Sequence, residues 1–264
     1  MDHIIAVAAA LCYGAAIATI IPGLLQQTGI RSKTVFISAV LALILHGWLI
    51  GDLILADSGQ NLRILNVATL ISFIISVVLT GAMLKMRVWF LLPVAYGFAI
   101  INLLTSAFIP GAFITHLEHT PKLLVHISLA LFAYSTLTIG ALYALQLAWL
   151  DEKLKKKEAL AINPNLPPLM LVERQLFRII VIGTVLLTAT LLTGYGFVYD
   201  MFAQGKAHKA ILSLVAWVVY VVVLWGHYQR GWRGKKVTWF ALVGAGLLTL
   251  AYFGSRFVKE IILS

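Results

Sequence analysis

Three histidines lie in long apolar stretches of the chain and are its leading candidates for chemistry: His46, His126 and His227. A neutral imidazole can coordinate a metal ion or accept a proton near neutral pH. Ionisable side chains inside membrane segments are costly and are frequently functional. For His126 the alternative is an interfacial residue satisfied by a neighbouring helix. For His46, which lies in the middle of its apolar stretch, a structural hydrogen bond is the alternative to a ligand role.

The chain has seven histidines, and the other four are weaker candidates. His116 and His119 flank Glu118 in one short loop, but a zinc site normally needs four converging ligands, so we expect a solvated loop there. His208 follows a polar connection and is placed to stand near His126. His3 is a terminal residue without an expected role.

Motifs for bond-forming catalysis are absent from the sequence. It contains no His-Glu-x-x-His, Gly-x-Ser-x-Gly or P-loop pattern and no paired carboxylates within its apolar stretches. The single cysteine, Cys12, excludes an intramolecular disulfide and a Cys-x-x-Cys motif. Only Asp52 comes near the intramembrane carboxylate that a proton-coupled transporter usually needs. We therefore expect a protein that is not an enzyme.

Composition places these residues in a membrane. Of 264 residues, 61% are hydrophobic and 11% are charged, against about 45–50% and 25% in soluble domains. The sequence predicts an all-α, polytopic membrane helix bundle, with residues 1–264 forming a single integral membrane domain. The net charge of +10 is explained by loop lysines and arginines facing anionic lipid. We therefore expect the lipid bilayer as a partner and no nucleic acid.

Runs of apolar residues predict eight membrane spans, because about 20 residues of helix cross a bilayer core of about 30 Å. The predicted spans are Ile4–Leu25, Thr34–Leu55, Ile64–Leu84, Val88–Ile109, Leu123–Leu150, Leu176–Tyr199, Ala210–Tyr228 and Val237–Phe257.

The distribution of basic residues predicts the orientation. The first, third, fifth and seventh connections carry fourteen of the twenty lysines and arginines. Basic residues concentrate in cytoplasmic loops. Both termini are therefore expected on the outer, periplasmic side of a bacterial inner membrane, which places His126 near the outer surface and His227 near the inner one.

One connection is long, from Asp151 to Arg178. Its first part, DEKLKKKEAL, is expected to continue the fifth helix into water, and the prolines of NPNLPP then break the helix. LMLVERQLFR follows as an amphipathic lead-in to the sixth span. We interpret Lys155–Lys157 as a topology anchor that contacts lipid.

Several segments, in order, resemble the CcsA-type cytochrome c assembly proteins. LLVHISLALFAYSTLTIGALYALQLAWL opens with His126 and continues as a Ser-rich, Tyr-containing apolar run, as a helix of that family does. FAIINLLTSAFIP (Phe98–Pro110) is similar to the preceding family segment. WVVYVVVLWGHYQRGWRGKK (Trp217–Lys236) resembles a later helix ending in a histidine and a Gly-Trp-x-Gly loop, and Tyr252–Gly254 falls in the last helix. The resemblance covers about residues 58–260 and is strongest to the short YpjD-type members of the CcsA/HemX group.

The resemblance implies haem ligation by His126 and His227, because the corresponding family histidines bind haem. The group would be haem b bound non-covalently, since no attachment cysteines exist. Because the two histidines are expected near opposite faces of the membrane, they should not ligate the same iron. We expect His46, chosen for its depth, to partner His227, and His208 or a loop histidine to partner His126.

Two features of the family are missing. YDMFAQGKAHKAIL stands where the family carries a tryptophan-rich outer segment, and the tail SRFVKEIILS lacks the family's second outer histidine. These departures argue against haem transfer by the family mechanism. Haem binding within the membrane is still compatible with the sequence. The leading hypothesis is a haem-handling accessory protein with cytochrome c assembly proteins as its partners. A small-molecule or ion transporter and a HemX-like regulatory protein without haem are the alternatives.

Overall fold

Eight α-helices dominate the computed structural model, which describes residues 2–26, 29–55, 59–117, 120–157, 163–197 and 207–254. The helices are α1 (Asp2–Leu25), α2 (Ser32–Leu55), α3 (Ile64–Ala82), α4 (Leu91–Phe108), α5 (Pro121–Lys155), α6 (Leu169–Phe197), α7 (Ala207–Arg230) and α8 (Lys235–Thr249). A short π-helix, Leu250–Gly254, extends α8. Two short strands, β1 (Gln60–Asn61) and β2 (Ile114–Thr115), pair antiparallel.

All eight helices are long and apolar enough to cross a bilayer, counting the π-helix as part of the eighth. Backbone polar groups have no water to bond in hydrocarbon, so a helix, which pairs them internally, is the favoured form for such segments. The predictions of an all-α fold and of eight candidate spans are confirmed.

Helix boundaries depart most from prediction around the long connection. α5 has 35 residues, and α6 begins at Leu169, seven residues before the predicted start at Leu176. The amphipathic lead-in is itself helical, and a criterion based on apolar residues excluded it because of its charges. The predicted span ends Tyr199 and Phe257 lie outside the described residues.

Two compact units divide the chain. The first comprises Met1–His116 and Glu152–Pro168, and the second comprises Leu117–Asp151 and Leu169–Ser264. The sequence predicts one integral membrane domain, and that prediction stands beside this finer division. Each unit is described by itself below.

In the first unit, α1 packs against α2 and α4, and α3 packs against α2 and α4. The contact stripes of α1 and α2 alternate three- and four-residue steps, which keeps one narrow face toward a partner helix. Small residues on such a stripe let helices approach closely. The fully buried residues of these stripes are Ala6, Ala9, Tyr13, Ala16 and Ile20 on α1 and Val35, Ala39, Ala42, His46 and Leu49 on α2.

A buried arginine ties the ends of α3 and α4 together in the same unit. Arg63 precedes α3 and is 6% exposed. Its Nε donates to Oδ1 of Asn66 at 2.9 Å, and its terminal nitrogens donate to the carbonyls of Ser106 and Ile109. The free carbonyls and the negative dipole end of α4 compensate the buried cation.

In the second unit, α7 packs against α6 and α8. Tyr220 of α7 is buried and donates to the carbonyl of Ala241 at 3.3 Å. Gly244 lies opposite the same ring, since a Cβ there would stand 2.7 Å from a ring carbon. From α5, Tyr134 bonds Thr249 at 3.0 Å.

Candidate functional site

His46 lies in the core of the first unit, on the contact stripe of α2, and is fully buried. Its Nδ1 is hydrogen-bonded to Oη of Tyr13 at 3.1 Å. Phe73 covers it edge-on, with ring centroids 5.2 Å apart. The backbone of Thr69 interacts with the imidazole, yet no described group reaches Nε2 in hydrogen-bond geometry. One ring nitrogen is thus engaged and the other is orphaned.

Tyr13 connects His46 to a second aromatic residue of the same core. The rings of Tyr13 and Tyr96 are 5.0 Å apart, and Tyr96 exchanges a hydrogen bond of 2.8 Å with Thr80. Oγ of Ser76 is buried without a described partner. A short row of polar side chains therefore crosses the interior of the first unit beside His46.

His126 lies in the second turn of α5, in the second unit, and is half-buried. Its Nδ1 is 3.2 Å from Oγ1 of Thr193. The Thr193 hydroxyl also lies 2.9 Å from the carbonyl of Ala189 and 3.0 Å from that of Thr190. When its single hydrogen bonds one of these carbonyls, Thr193 accepts from Nδ1–H of His126 and the lone pair is left on Nε2.

His227 lies in the last turn of α7, where the sequence GHYQRGW ends the helix. Gly231 has a φ of +64°, and the amides of Gly231 and Trp232 bond the carbonyls of His227 and Gly226. This is a left-handed (αL) helix ending, which favours glycine at the left-handed position. It brings the Trp232 ring over Gly226, where a Cβ would stand 2.3 Å from the ring.

The same ending fixes the orientation of the His227 ring. A carbonyl can only accept, so Nδ1–H of His227 donates to the Trp232 carbonyl at 3.1 Å. The Phe177 ring of α6 stacks on the imidazole, with centroids 3.3 Å apart and planes inclined by 17°. The lone pair is left on Nε2. Metal-ligating histidines commonly bond a carbonyl through their other nitrogen in this way.

A cavity of about 290 Å³ opens beside His227. The amphipathic start of α6 supplies one wall, with Glu173, Arg174 and Arg178 at helical spacing. The end of α7 and the following loop supply the other, with Tyr228 and Arg233. Glu173 is 8% exposed, and its Oε1 is 3.3 Å from Nε of Arg233.

The remaining predicted positions are less enclosed. His208 is exposed in the first turn of α7, and His3 stacks on Phe108 with ring centroids 4.6 Å apart. Asp52 is exposed and accepts from Nε1 of Trp48 at 3.1 Å. His119 lies outside the described residues. Within the described ranges, no three His, Cys, Asp or Glu side chains are grouped to hold a metal ion.

The structure places His46 in the first unit and His126 and His227 in the second. The pairings of His227 with His46 and of His126 with His208 or a loop histidine stay predictions. Sequence reasoning missed the partners of these rings: Tyr13, Thr193 and Phe177. The alternating stripe on α2 indicates that His46 faces inward, but no sequence pattern indicates which helix lies opposite.

Comparisons with known proteins identify relatives along most of the chain. The family model described as "Cytochrome C assembly protein" matches residues 34–263, and so begins within α2 rather than near residue 58. The Inner membrane protein YpjD of Escherichia coli K12 is 52% identical over 261 residues, which cover 98% of this chain and 99% of that protein. An uncharacterized 28.8 kDa protein of Azospirillum brasilense is 31% identical over 58% of this chain and 61% of its own length.

More distant similarity extends to a protein named for cytochrome c biogenesis. The cytochrome c biogenesis protein CcsA of Chlamydomonas reinhardtii is 28% identical over 143 residues, or 52% of this chain and 38% of that protein. No solved structure matches significantly. The family match spans well over half of the chain and includes all three candidate histidines, so the chain belongs to the cytochrome c assembly protein family.

Proposed function

We propose that this protein is a haem-binding accessory protein of the bacterial inner membrane that takes part in cytochrome c assembly without catalysing a bond-forming step. His126 and His227 would each supply an axial imidazole to a non-covalently bound haem b. The inner-membrane location follows the name of the relative in Escherichia coli, and the link to cytochromes follows the family.

The observation that carries this proposal is the shared hydrogen-bond pattern of the two rings. Nδ1 of each ring is hydrogen-bonded to a fixed oxygen, of Thr193 in one case and of the Trp232 backbone in the other. The carbonyl holds His227 in the tautomer whose Nε2 lone pair can bind iron, and Thr193 holds His126 in the same tautomer when its hydroxyl donates to a helix carbonyl. Two histidines on different helices share an arrangement that suits a ligand.

His46 is a further candidate ligand in the first unit. His46 is fully buried, its Nε2 has no described hydrogen-bond partner, and such orphaned polar atoms are uncommon in native cores. An axial bond to iron would use that nitrogen. His46 is therefore proposed as an intramembrane ligand, with His227 as its proposed partner.

Two separate haem sites are expected because of where the second-unit histidines lie. His126 is six residues from the start of α5, and His227 is four residues from the end of α7. In the orientation indicated by the basic loops, these positions fall near the outer and inner membrane surfaces. Bound haem would supply redox or transfer chemistry, and the chain's own residues would orient and retain it.

Visible spectra of the purified protein, expressed with ample haem, test the proposal. We expect a Soret band typical of low-spin, bis-histidine haem b. His126→Ala and His227→Ala should each weaken or shift it. His3→Ala is the matched control, since it removes an exposed imidazole that stacks on Phe108 at the end of α4, and it should leave the band unchanged.

Absence of any haem band under these conditions would contradict the proposal and favour the regulatory or transport alternative. A band that survives both substitutions would show that other residues hold the haem. Equal losses in all three variants, His3→Ala included, would attribute the effect to folding rather than to ligation.

The proposed orientation has its own test. A reporter that is active only in the cytoplasm, fused after Ser264, should stay silent, while the same reporter inserted near Lys156 should be active. Activity of the terminal fusion would exchange the sides of His126 and His227.

A further inference from the structure

The cavity beside His227 combines a strong positive charge with apolar walls. Arg174, Arg178 and Arg233 line it together with a single acid, Glu173. Arg233 is held by Glu173 at 3.3 Å. Neither Arg174 nor Arg178 has a hydrogen bond or ion pair among the described residues, and both are exposed. Two positive charges are therefore left without a partner around one opening.

The position of Glu173 makes this a built site and not a loose surface cluster. Its carboxylate oxygen Oε1 is buried without a hydrogen bond, and the side chain is 11% exposed. A buried carboxylate needs a cation nearby. The ion pair with Arg233 meets that need and holds the Arg233 guanidinium at the rim, where its other nitrogens can still donate.

The position of the cavity along the helices places it at a membrane surface. Residues 179–197 of α6 contain no charge, and 19 residues of helix rise about 28 Å. The charged start of α6 therefore lies where the hydrocarbon ends. Ile182 and Val185 lie four and seven residues after Arg178, on the same face of α6, and are 55% and 63% exposed. An apolar surface thus leads from the cavity along the helix.

We propose that this cavity binds the phosphate of an anionic membrane lipid. Guanidinium groups bind phosphate oxygens through paired N–H donors. A lipid supplies a phosphate at this depth and acyl chains for the exposed apolar face of α6. A soluble phosphate would bind the arginines but would not cover the apolar face of α6. The observations behind this inference do not include the proposed haem function, and the test uses haem-free protein because both ligands would reach the same opening beside His227.

Native mass spectrometry of purified, delipidated, haem-free protein tests it. Titration with phosphatidylglycerol should give one tightly bound lipid per chain, and titration with zwitterionic phosphatidylcholine should give weaker binding. Arg174→Gln/Arg178→Gln should lower the phosphatidylglycerol affinity about 30-fold, since each basic side chain at a membrane surface contributes about fivefold.

Arg31→Gln/Lys33→Gln removes the same charge from exposed positions in the first unit and should change the affinity by no more than about twofold. If the Arg174/Arg178 pair does not yield folded protein, the two single variants replace it, each with an expected loss of about fivefold.

Three results would overturn the proposal: equal losses in the two double variants, equal binding of the two lipids, or displacement of phosphatidylglycerol by inorganic phosphate at the same concentration. The last would assign the cavity to a soluble anion.

Discussion

His46 and His227 both interrupt apolar helices, yet their surroundings differ. His46 is fully buried in the first unit, between the aromatic rings of Tyr13 and Phe73. His227 is half-buried at a helix end of the second unit, beside a cavity lined by arginines. Both have one nitrogen engaged by a hydrogen bond. They differ in access, because a ligand can approach His227 through an opening, whereas His46 is enclosed by side chains.

The difference separates two uses of polar groups in a membrane bundle. In the first unit, polar side chains bond one another or helix-end carbonyls and so stabilise helix contacts. Around His227, a helix ending and a cavity leave donors and charges available. The first unit should therefore lose stability when its polar groups are changed, and the second should lose binding.

The largest expected effect on stability is at Arg63 in the first unit. Arg63→Met leaves the carbonyls of Ser106 and Ile109 without their donor and should lower the free energy of unfolding by about 3 kcal/mol or more. Unfolding in mixed detergent micelles would measure it. Arg174→Met is the control in the second unit. It removes an exposed arginine and should have no measurable effect. Equal losses would break the distinction between the units.

Gly244 tests helix packing in the second unit. Gly244→Ala places a methyl group against the Tyr220 ring, whereas Gly246→Ala, two residues on, meets nothing within 4 Å. Both changes gain helix propensity, so their difference reports the clash. We expect Gly244→Ala to be about 2 kcal/mol less stable than Gly246→Ala. Equal thermal stability of the two variants would show that Tyr220 moves aside freely.

Tyr13→Phe sharpens the description of His46. It removes the hydrogen bond to Nδ1 while keeping the aromatic ring, and should cost about 1 kcal/mol of stability. Stability in the same micelle assay should fall, and the phosphatidylglycerol affinity of the cavity beside His227 should not change. A change in lipid affinity would show that the histidines are coupled.

The smallest effect is expected at the lysines that follow α5. Lys156 pairs with exposed Glu152 at 2.6 Å, and such exposed pairs contribute little. Neutralising Lys155–Lys157 should alter membrane insertion or lipid contact and leave bound haem unchanged, as read from the Soret band after normal insertion. Loss of that band in correctly inserted protein would give these residues a role in the site.

Much of the fold could be predicted because backbone polar groups must be hydrogen-bonded within the protein in hydrocarbon, and few backbone conformations allow that. Each apolar run long enough to cross a bilayer became a helix, and α3 begins at Ile64 as predicted. The errors fall where helices leave the apolar layer. α6 begins at Leu169 because its amphipathic first turns are helical as well, and hydrophobicity alone does not detect them.

The site was predictable only in part, since residue type and depth indicate a candidate ligand but not its neighbours. The motif Gly-Trp-x-Gly after His227 is a local signal, and the left-handed helix ending at Gly231 explains its first glycine. Thr193 and Phe177 come from another helix, 67 and 50 residues away in sequence from the histidines they contact. Such contacts depend on how helices pack, which one sequence does not contain.

Haem titration of the purified apoprotein tests the central claim most directly. If His126 and His227 each hold a separate iron, the wild-type chain should bind two equivalents of haem b, and each single alanine variant should bind one. A single equivalent that disappears in both variants would place the two histidines on one iron. Binding of two equivalents by both variants, or no saturable binding by the wild type, would contradict the assignment of these histidines as haem ligands.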